Sequence, residues 1–165
     1  MAEIIAIGSD HAGFKAKETV KKILEECGLG WKDYGTRDTA SCDYPDYARA
    51  VAQSISRGEH KRGIIVCGSG IGVSMTANKV RGIRAALCHN EETARLSRQH
   101  NDSNVLCFGE RTTEESLIPK IIKAWLEESF EGGRHSRRVD KMEQDRAGEN
   151  GSWSEKLKNF EAEAR

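Results

Sequence analysis

Short, continuous apolar runs alternate along this chain with stretches in which apolar residues recur every three or four positions. Ile4-Ile5-Ala6-Ile7 is the first run and closes on Gly8-Ser9-Asp10. Ala16, Val20, Ile23, Leu24 and Cys27 then recur at helical spacing up to a stop at Gly28. A brief second strand is expected around Trp31 to Tyr34, followed by a polar loop to Pro45. Proline is suited to open a helix, here one whose apolar face holds Ala48, Val51, Ala52 and Ile55. Gly63-Ile64-Ile65-Val66-Cys67 is apolar without alternation, as a strand covered on both faces must be. A Gly-rich turn and a helix from about Ile71 to Val80 follow. Then come a strand over Ile83 to Leu87, a helix over Glu91 to Gln99, a strand over Asn104 to Phe108 and a helix ending near Glu128. Strand-helix units in this succession predict an α/β fold, a doubly wound, five-stranded parallel sheet.

The pattern changes past Gly132-Gly133. Twelve of the 27 residues from Val139 to Arg165 are charged, so residues 139–165 are expected to extend a domain spanning 1–138 rather than to join its core. Within them Ser152 and Glu155 have capping-box spacing, and Trp153, Leu157, Phe160 and Ala164 share a face, which predicts a short amphipathic helix.

The 165 residues suit one domain, and 26 Lys+Arg balance 26 Asp+Glu. A formal charge of zero offers no broad basic field to nucleic acid or to an anionic membrane, so neither is expected as a partner. No apolar run approaches the ~20 residues that span a bilayer, and the N-terminus lacks the order of a secretory signal. A soluble, cytoplasmic protein is therefore expected. Cys27, Cys42, Cys67, Cys88 and Cys107 form no CxxC pair and no short His/Cys spacing, which points to reduced thiols without a disulfide framework or metal site.

Open α/β sheets bind ligands beyond the carboxyl ends of their strands. The sharpest candidate there is Cys67-Gly68-Ser69-Gly70-Ile71-Gly72: a thiol leaving a buried strand, then glycines that let backbone N–H groups converge ahead of a helix. Such a nest favours an oxyanion or phosphate. A strand-end cysteine can equally be a small buried hydrophobe, so the alternating glycines, more than the thiol, point to function. A Walker loop is absent, and the dinucleotide pattern GxGxxG fails at Val73. The same valine stands where a low-molecular-weight phosphatase loop needs its arginine.

Asp10-His11, at the end of the first strand, sets a carboxylate beside an imidazole, a pair suited to proton transfer or to holding a hydroxyl and an anion. Arg111 follows another strand, where it can either face an anion or pair with Glu110 or Glu114. His100-Asn101-Asp102 comes before a strand, at the wrong end of the sheet within one chain, and a site shared with a neighbouring subunit resolves this. Arg134 and Arg138 share one face if a helix begins there, as a solvated basic turn or a phosphate clamp.

Gly8-Ser9-Asp10-His11-Ala12-Gly13-Phe14, Asp43-Tyr44-Pro45, Cys67 through Gly72, Ala77-Asn78-Lys79, Leu96-Ser97-Arg98-Gln99-His100-Asn101-Asp102 and Gly132-Gly133-Arg134-His135 together resemble one family. Over roughly Ile4 to Val139 the chain resembles ribose-5-phosphate isomerase type B, of the LacA/LacB sugar-phosphate isomerases. The resemblance implies a Rossmann-like, three-layer α/β/α fold and a homodimer or dimer of dimers with sites at the subunit interface. It implies metal-free, cofactor-free interconversion of an aldose phosphate and its ketose through a cis-enediolate.

By that resemblance Cys67 is the base that moves the proton between C1 and C2, and Ser69 assists proton movement between O1 and O2. Members with a glutamate base carry it at the position of Val73, which places this chain in the cysteine branch. His100, with Asp10, opens the furanose ring. Asn101 and the N–H groups of the turn holding Gly68, Gly70 and Gly72 bind the enediolate oxygen. His11, Arg134 and Arg138, with Arg111, bind the phosphate, while Asp43 and Tyr44 line the sugar site. The family also acts on galactose 6-phosphate and allose 6-phosphate, and each subunit of the galactose enzyme lacks part of the site. This chain keeps Cys67, His100, Asn101, Arg134 and Arg138 together, so the resemblance implies a self-sufficient isomerase of ribose 5-phosphate and ribulose 5-phosphate. A six-carbon sugar phosphate is the alternative substrate. A non-catalytic sugar-phosphate-binding protein would need His11, Arg134 and Arg138, but not Cys67 or His100.

Overall fold

In the computed structural model, which describes residues 2–144, β1 (Ile4–Ser9), β2 (Gly30–Asp33), β3 (Gly63–Cys67), β4 (Ala85–Leu87) and β5 (Val105–Gly109) pair in parallel. Their order across the sheet is β2-β1-β3-β5-β4. Between successive strands run α1 (Phe14–Glu26), α2 (Tyr44–Ser56), α3 (Ile71–Ala77) and α4 (Glu91–Asn101), and α5 (Ile118–Glu127) follows β5.

The unbroken apolar runs follow from burial on both sides. Ile5, Ile7, Ile64, Val66, Leu106 and Phe108 pack with Val20 and Leu24 of α1, Ala94 of α4 and Ile121 and Trp125 of α5. Their neighbours Ala6, Ile65, Cys67, Val105 and Cys107 pack with Ala48, Val51 and Ala52 of α2 and Val73 and Ala77 of α3. Successive strand residues enter opposite layers, so polar alternation has no place in the central strands. The doubly wound, three-layer architecture expected from the sequence is the one observed.

Boundaries moved where side chains cap the backbone. α3 ends at Ala77 rather than Val80, because the Asn78 amide turns to the edge strand: its Nδ2 donates to Ala85 O at 2.8 Å and its Oδ1 accepts from Ala85 N at 2.9 Å. This same pairing starts β4 at Ala85 instead of Ile83. α4 opens on an Asn90–Thr93 capping box and runs past Gln99 to Asn101, where Asp102 closes it in a left-handed conformation at φ 45°.

One buried charge ties the loop after β2 to α1. Lys17, 1% exposed, donates from Nζ to Asp33 Oδ2 at 2.7 Å and to Thr36 O at 2.6 Å, and Lys21 Nζ lies 2.8 Å from the same carboxylate oxygen. Burial pushes the Asp33 carboxyl up, but the hydrogen bonds from Lys17 and Lys21 outweigh it and hold that carboxyl below the usual range.

Residues up to Glu131 form one compact unit, and a second begins at Gly132. In the second, α6 (Arg134–Gln144) starts where the basic cluster predicts a helix, and Arg134 and Arg138 lie one turn apart on it. The change of composition at Val139 falls inside this helix. The amphipathic helix expected over Ser152 to Ala164 lies outside the described residues. No helix among the described residues is long and apolar enough to cross a membrane.

Candidate active site

β1 and β3 are neighbours, yet the chain leaves them toward opposite faces, through α1 on one and α3 on the other. Their carboxyl-end loops diverge and leave a crevice, the switch point of a doubly wound sheet. It is a cavity of about 600 Å³ lined by Asp10, His11 and Ala12 after β1, by Cys67, Gly68, Ser69, Ile71, Gly72 and Met75 after β3, by Arg111 and Thr112 after β5, and by Tyr44.

Cys67 ends β3 at 4% exposure, and its Sγ accepts the Gly70 N–H at 3.1 Å. That donor places positive charge density against the sulfur. Gly70 makes the contact by adopting φ 77°, and a Cβ there would lie 2.6 Å from Leu87 Cδ1 and 2.7 Å from Phe108 C. Ser69 Oγ accepts the Ile71 N–H at 3.3 Å. Two N–H groups of the turn are thus used by its own side chains, which leaves Gly68, Ser69 and Gly72 as its candidate donors to a bound oxyanion. Gly72 lies under the Tyr44 ring, where a Cβ would meet Cζ at 2.5 Å.

Asp10 is 5% exposed, and its Oδ1 accepts the N–H groups of Ala12 and Gly13, each at 3.1 Å, capping the helical turn His11–Gly13. Oδ2 remains on the His11 side, 3.8 Å from Nδ1. That nitrogen instead accepts the Cys42 N–H at 3.2 Å, with Cys42 Sγ at 3.9 Å. An accepting Nδ1 leaves the proton of the neutral ring on Nε2, so His11 is a donor on its other edge. This contact of Cys42 could not be read from the sequence, because it is made by a backbone N–H rather than by the thiol.

Arg111 lines the cavity and crosses Gly68, whose carbonyl accepts the Arg111 N–H at 3.0 Å. The alternative of an ion pair with Glu110 or Glu114 is not formed among the described residues. Glu110 instead accepts the Ala16 N–H at 2.9 Å.

The remaining candidates lie elsewhere. Asp43 precedes α2 without a side-chain cap hydrogen bond and does not line the cavity. His100 and Asn101 end α4, at the amino ends of the strands, the opposite end of the sheet from Cys67. There His100 Nε2 is 3.9 Å from Glu131 Oε2. Arg134 and Arg138 belong to the second unit, in which Arg134 Nε donates to His135 Nε2 at 3.3 Å. Val73 is fully buried in the α2–α3 layer of the core.

A model of the ribose/galactose isomerase family matches residues 5–142. The chain is 47% identical to ribose-5-phosphate isomerase B of Escherichia coli over 136 residues, 82% of this chain and 91% of that protein. It is 42% identical to D-erythrulose-4-phosphate isomerase of Pectobacterium atrosepticum over 139 residues, 84% of this chain and 91% of the other. Among solved structures, ribose-5-phosphate isomerase B of Clostridium thermocellum aligns with a TM-score of 0.85 at 45% identity, over 87% of this chain and 97% of that one. The Mycoplasma genitalium protein with bound ribulose-5-phosphate gives 0.85 at 41%, over 90% and 99%.

Proposed function

This chain belongs to the ribose/galactose isomerase family and is a sugar-phosphate isomerase, and on that premise we propose that it interconverts ribose 5-phosphate and ribulose 5-phosphate with Cys67 as the base. The observation that supports this most is the thiol itself: Cys67 Sγ, in the wall of the cavity, accepts a backbone N–H, while the alternative base position holds the buried, apolar Val73.

On this reading the Cys67 thiolate takes the C2 proton of the open-chain aldose, the C–H electron pair forms the C1=C2 double bond, and the carbonyl π pair moves onto O1 to give a cis-enediolate. Returning that proton to C1 gives the ketose. Ser69 Oγ passes the proton between O1 and O2, and the Gly68, Ser69 and Gly72 N–H groups face the developing oxyanion, a kind of donor worth ~3 to 4 kcal/mol where tested. His11 donates through Nε2 to the phosphate, and Arg111 supplies charge; Tyr44 borders the sugar. A phosphate monoester carries about two negative charges. Arg111 is the one cation among the described lining residues, so further charge from Arg134 and Arg138 completes the phosphate site.

Ring opening needs a proton acceptor at one oxygen and a donor at another, roles assigned to Asp10 and His100. His100 and Asn101 sit at the far end of their own sheet, so they act in the cavity of a second copy, and the working unit is a homodimer or a dimer of dimers. The protein is assigned to the cytoplasm.

The test is ribulose 5-phosphate formation from ribose 5-phosphate with a chelator present, for the wild type and Cys67→Ala. Turnover lost in the variant with binding retained supports the thiol base. Full activity in Cys67→Ala refutes it, and a wild type that binds the pentose without turnover moves the assignment to a sugar phosphate of another length or to a binding protein.

A further inference from the structure

The loops at the amino ends of β3, β4 and β5 enclose a second cavity of about 360 Å³, walled by Lys61, Arg62, Arg84, Arg98, Glu3 and Asp102. It lies at the end of the sheet opposite Cys67. Connectivity puts its cations there: Arg62 precedes β3, Arg84 precedes β4, and Arg98 is in the last turn of α4, where helix carbonyls favour positive charge.

The arginines are held rigidly. Arg62 grips Glu3 with Nε at 3.1 Å and Nη2 at 2.6 Å, and Arg98 Nη1 donates to Asp102 Oδ1 at 2.9 Å and Ser103 O at 2.6 Å. Both guanidiniums lie against the ring of buried Trp125, at 5.6 and 5.8 Å from its centroid. Arg84 Nη2 reaches the other Asp102 oxygen at 2.9 Å.

The walls remain electropositive after this pairing. Four cations and two carboxylates line the cavity. Lys61 is exposed and pairs with no carboxylate among the described residues, and Arg98 Nε is a buried donor without an acceptor among them. The hydrogen bond from Arg62, reinforced by the charges of Arg62, Lys61 and Arg98, keeps the Glu3 carboxyl below its usual range despite burial. Rigid guanidiniums with spare positive charge, in a cavity of this size, suit a compact oxyanion with several acceptor oxygens.

We propose that this cavity is a second anion site that takes a phosphate group, free or as a monoester, independently of the cavity at Cys67. Its occupancy is measured by calorimetric titration of the full chain at low salt, with inorganic phosphate in one arm and ribose 5-phosphate in the other. Arg111→Ala, which weakens the Cys67 cavity, is expected to keep one phosphate per chain. In that background Lys61→Glu weakens the remaining binding by about tenfold or more, as reversing one charge beside an anion does, while Glu3→Gln strengthens it. A gain of affinity cannot come from misfolding, so the two variants together separate the site from a folding defect. Lys61→Glu alone leaves isomerase turnover unchanged. The relative affinities in the two arms identify the free ion or the ester as the better occupant. No phosphate bound by Arg111→Ala, or a residual phosphate whose affinity neither Lys61→Glu nor Glu3→Gln alters, overturns the proposal. Both readouts are of binding, so failure of the isomerase assignment leaves this test intact.

Discussion

Mixing two inactive variants should restore activity, and the structure sets how much. Cys67 closes the five-residue strand β3 at its carboxyl end, while His100 sits in the last turn of α4, just before the amino end of β5. At a rise of about 3.3 Å per residue, the two ends of such a strand are roughly 13 Å apart. Proton transfer requires heavy atoms within about 3 Å, or a single bridging water. His100 is therefore out of reach of the Cys67 of its own chain, and if both act on one substrate, as proposed, each working site takes one residue from each of two copies. Cys67→Ala and His100→Ala are each expected to lose at least ~100-fold in turnover, the lower range for a general base or acid. When the two chains are refolded together at equal amounts, half of the resulting dimers are mixed, and each mixed dimer holds one intact and one doubly broken site. About one quarter of wild-type turnover returns. Carrying both substitutions on one chain and mixing it with wild type creates no intact site in the mixed dimer, which controls for simple stabilisation. Ribulose 5-phosphate formation in the mixed sample that stays at the sum of its parents would refute the shared site and the assignment of His100 with it.

Three further outcomes follow from other parts of the molecule. Asp33→Asn leaves the almost fully buried Lys17 without its carboxylate and should cost about 3 kcal/mol, the lower end for a broken buried pair because Asp33 is itself 25% exposed; urea unfolding measures it. Because the folded-state Asp33 carboxyl is depressed, its contribution is complete above the unfolded-state value and fades as pH falls through the folded one. The gap between wild type and Asp33→Asn should therefore close in acid, and a gap that widens there contradicts the ion pair. Iodoacetamide at pH 8 should label Cys27 and Cys42, while Cys88, whose thiol burial pushes up to about 11, and the fully buried Cys107 stay unmodified until denaturant is added; mass spectrometry of the peptides decides. Gly70→Ala forces a Cβ against the Phe108 backbone at φ 77° and should cost about 2 kcal/mol of stability, with kcat falling more than KM as the Cys67 contact is lost. Unchanged kcat in a folded variant would show that the Gly70 N–H does not matter to the thiol.

The sheet could be read from the sequence because its central strands are buried on both sides. Ile64, Ile65, Val66 and Cys67 each enter a core layer, so the run shows no polar break and its ends fall where the strand ends. The edge strand was less legible, since the Asn78 amide fixes where β4 begins and hydrophobicity says nothing of that. At the site, the glycines around Cys67 were visible as a pattern, but the use of the Gly70 N–H by the sulfur was not. Whether Arg111 faces an anion or a glutamate depends on Glu110 accepting from Ala16, a contact between residues 94 positions apart that no local spacing reveals.

The placement of His100 and Asn101 needed less. In a parallel sheet every helix returns the chain to the amino ends, so residues that end a helix and precede a strand must lie opposite the residues that follow one. Connectivity alone therefore separates Cys67 from His100, whatever their side chains do. If both act on one substrate, as the family resemblance implies, no rotamer change or loop closure within a single chain brings them together. The fold itself then makes assembly of at least two copies a condition of catalysis, and loss of the dimer should abolish turnover without unfolding the sheet.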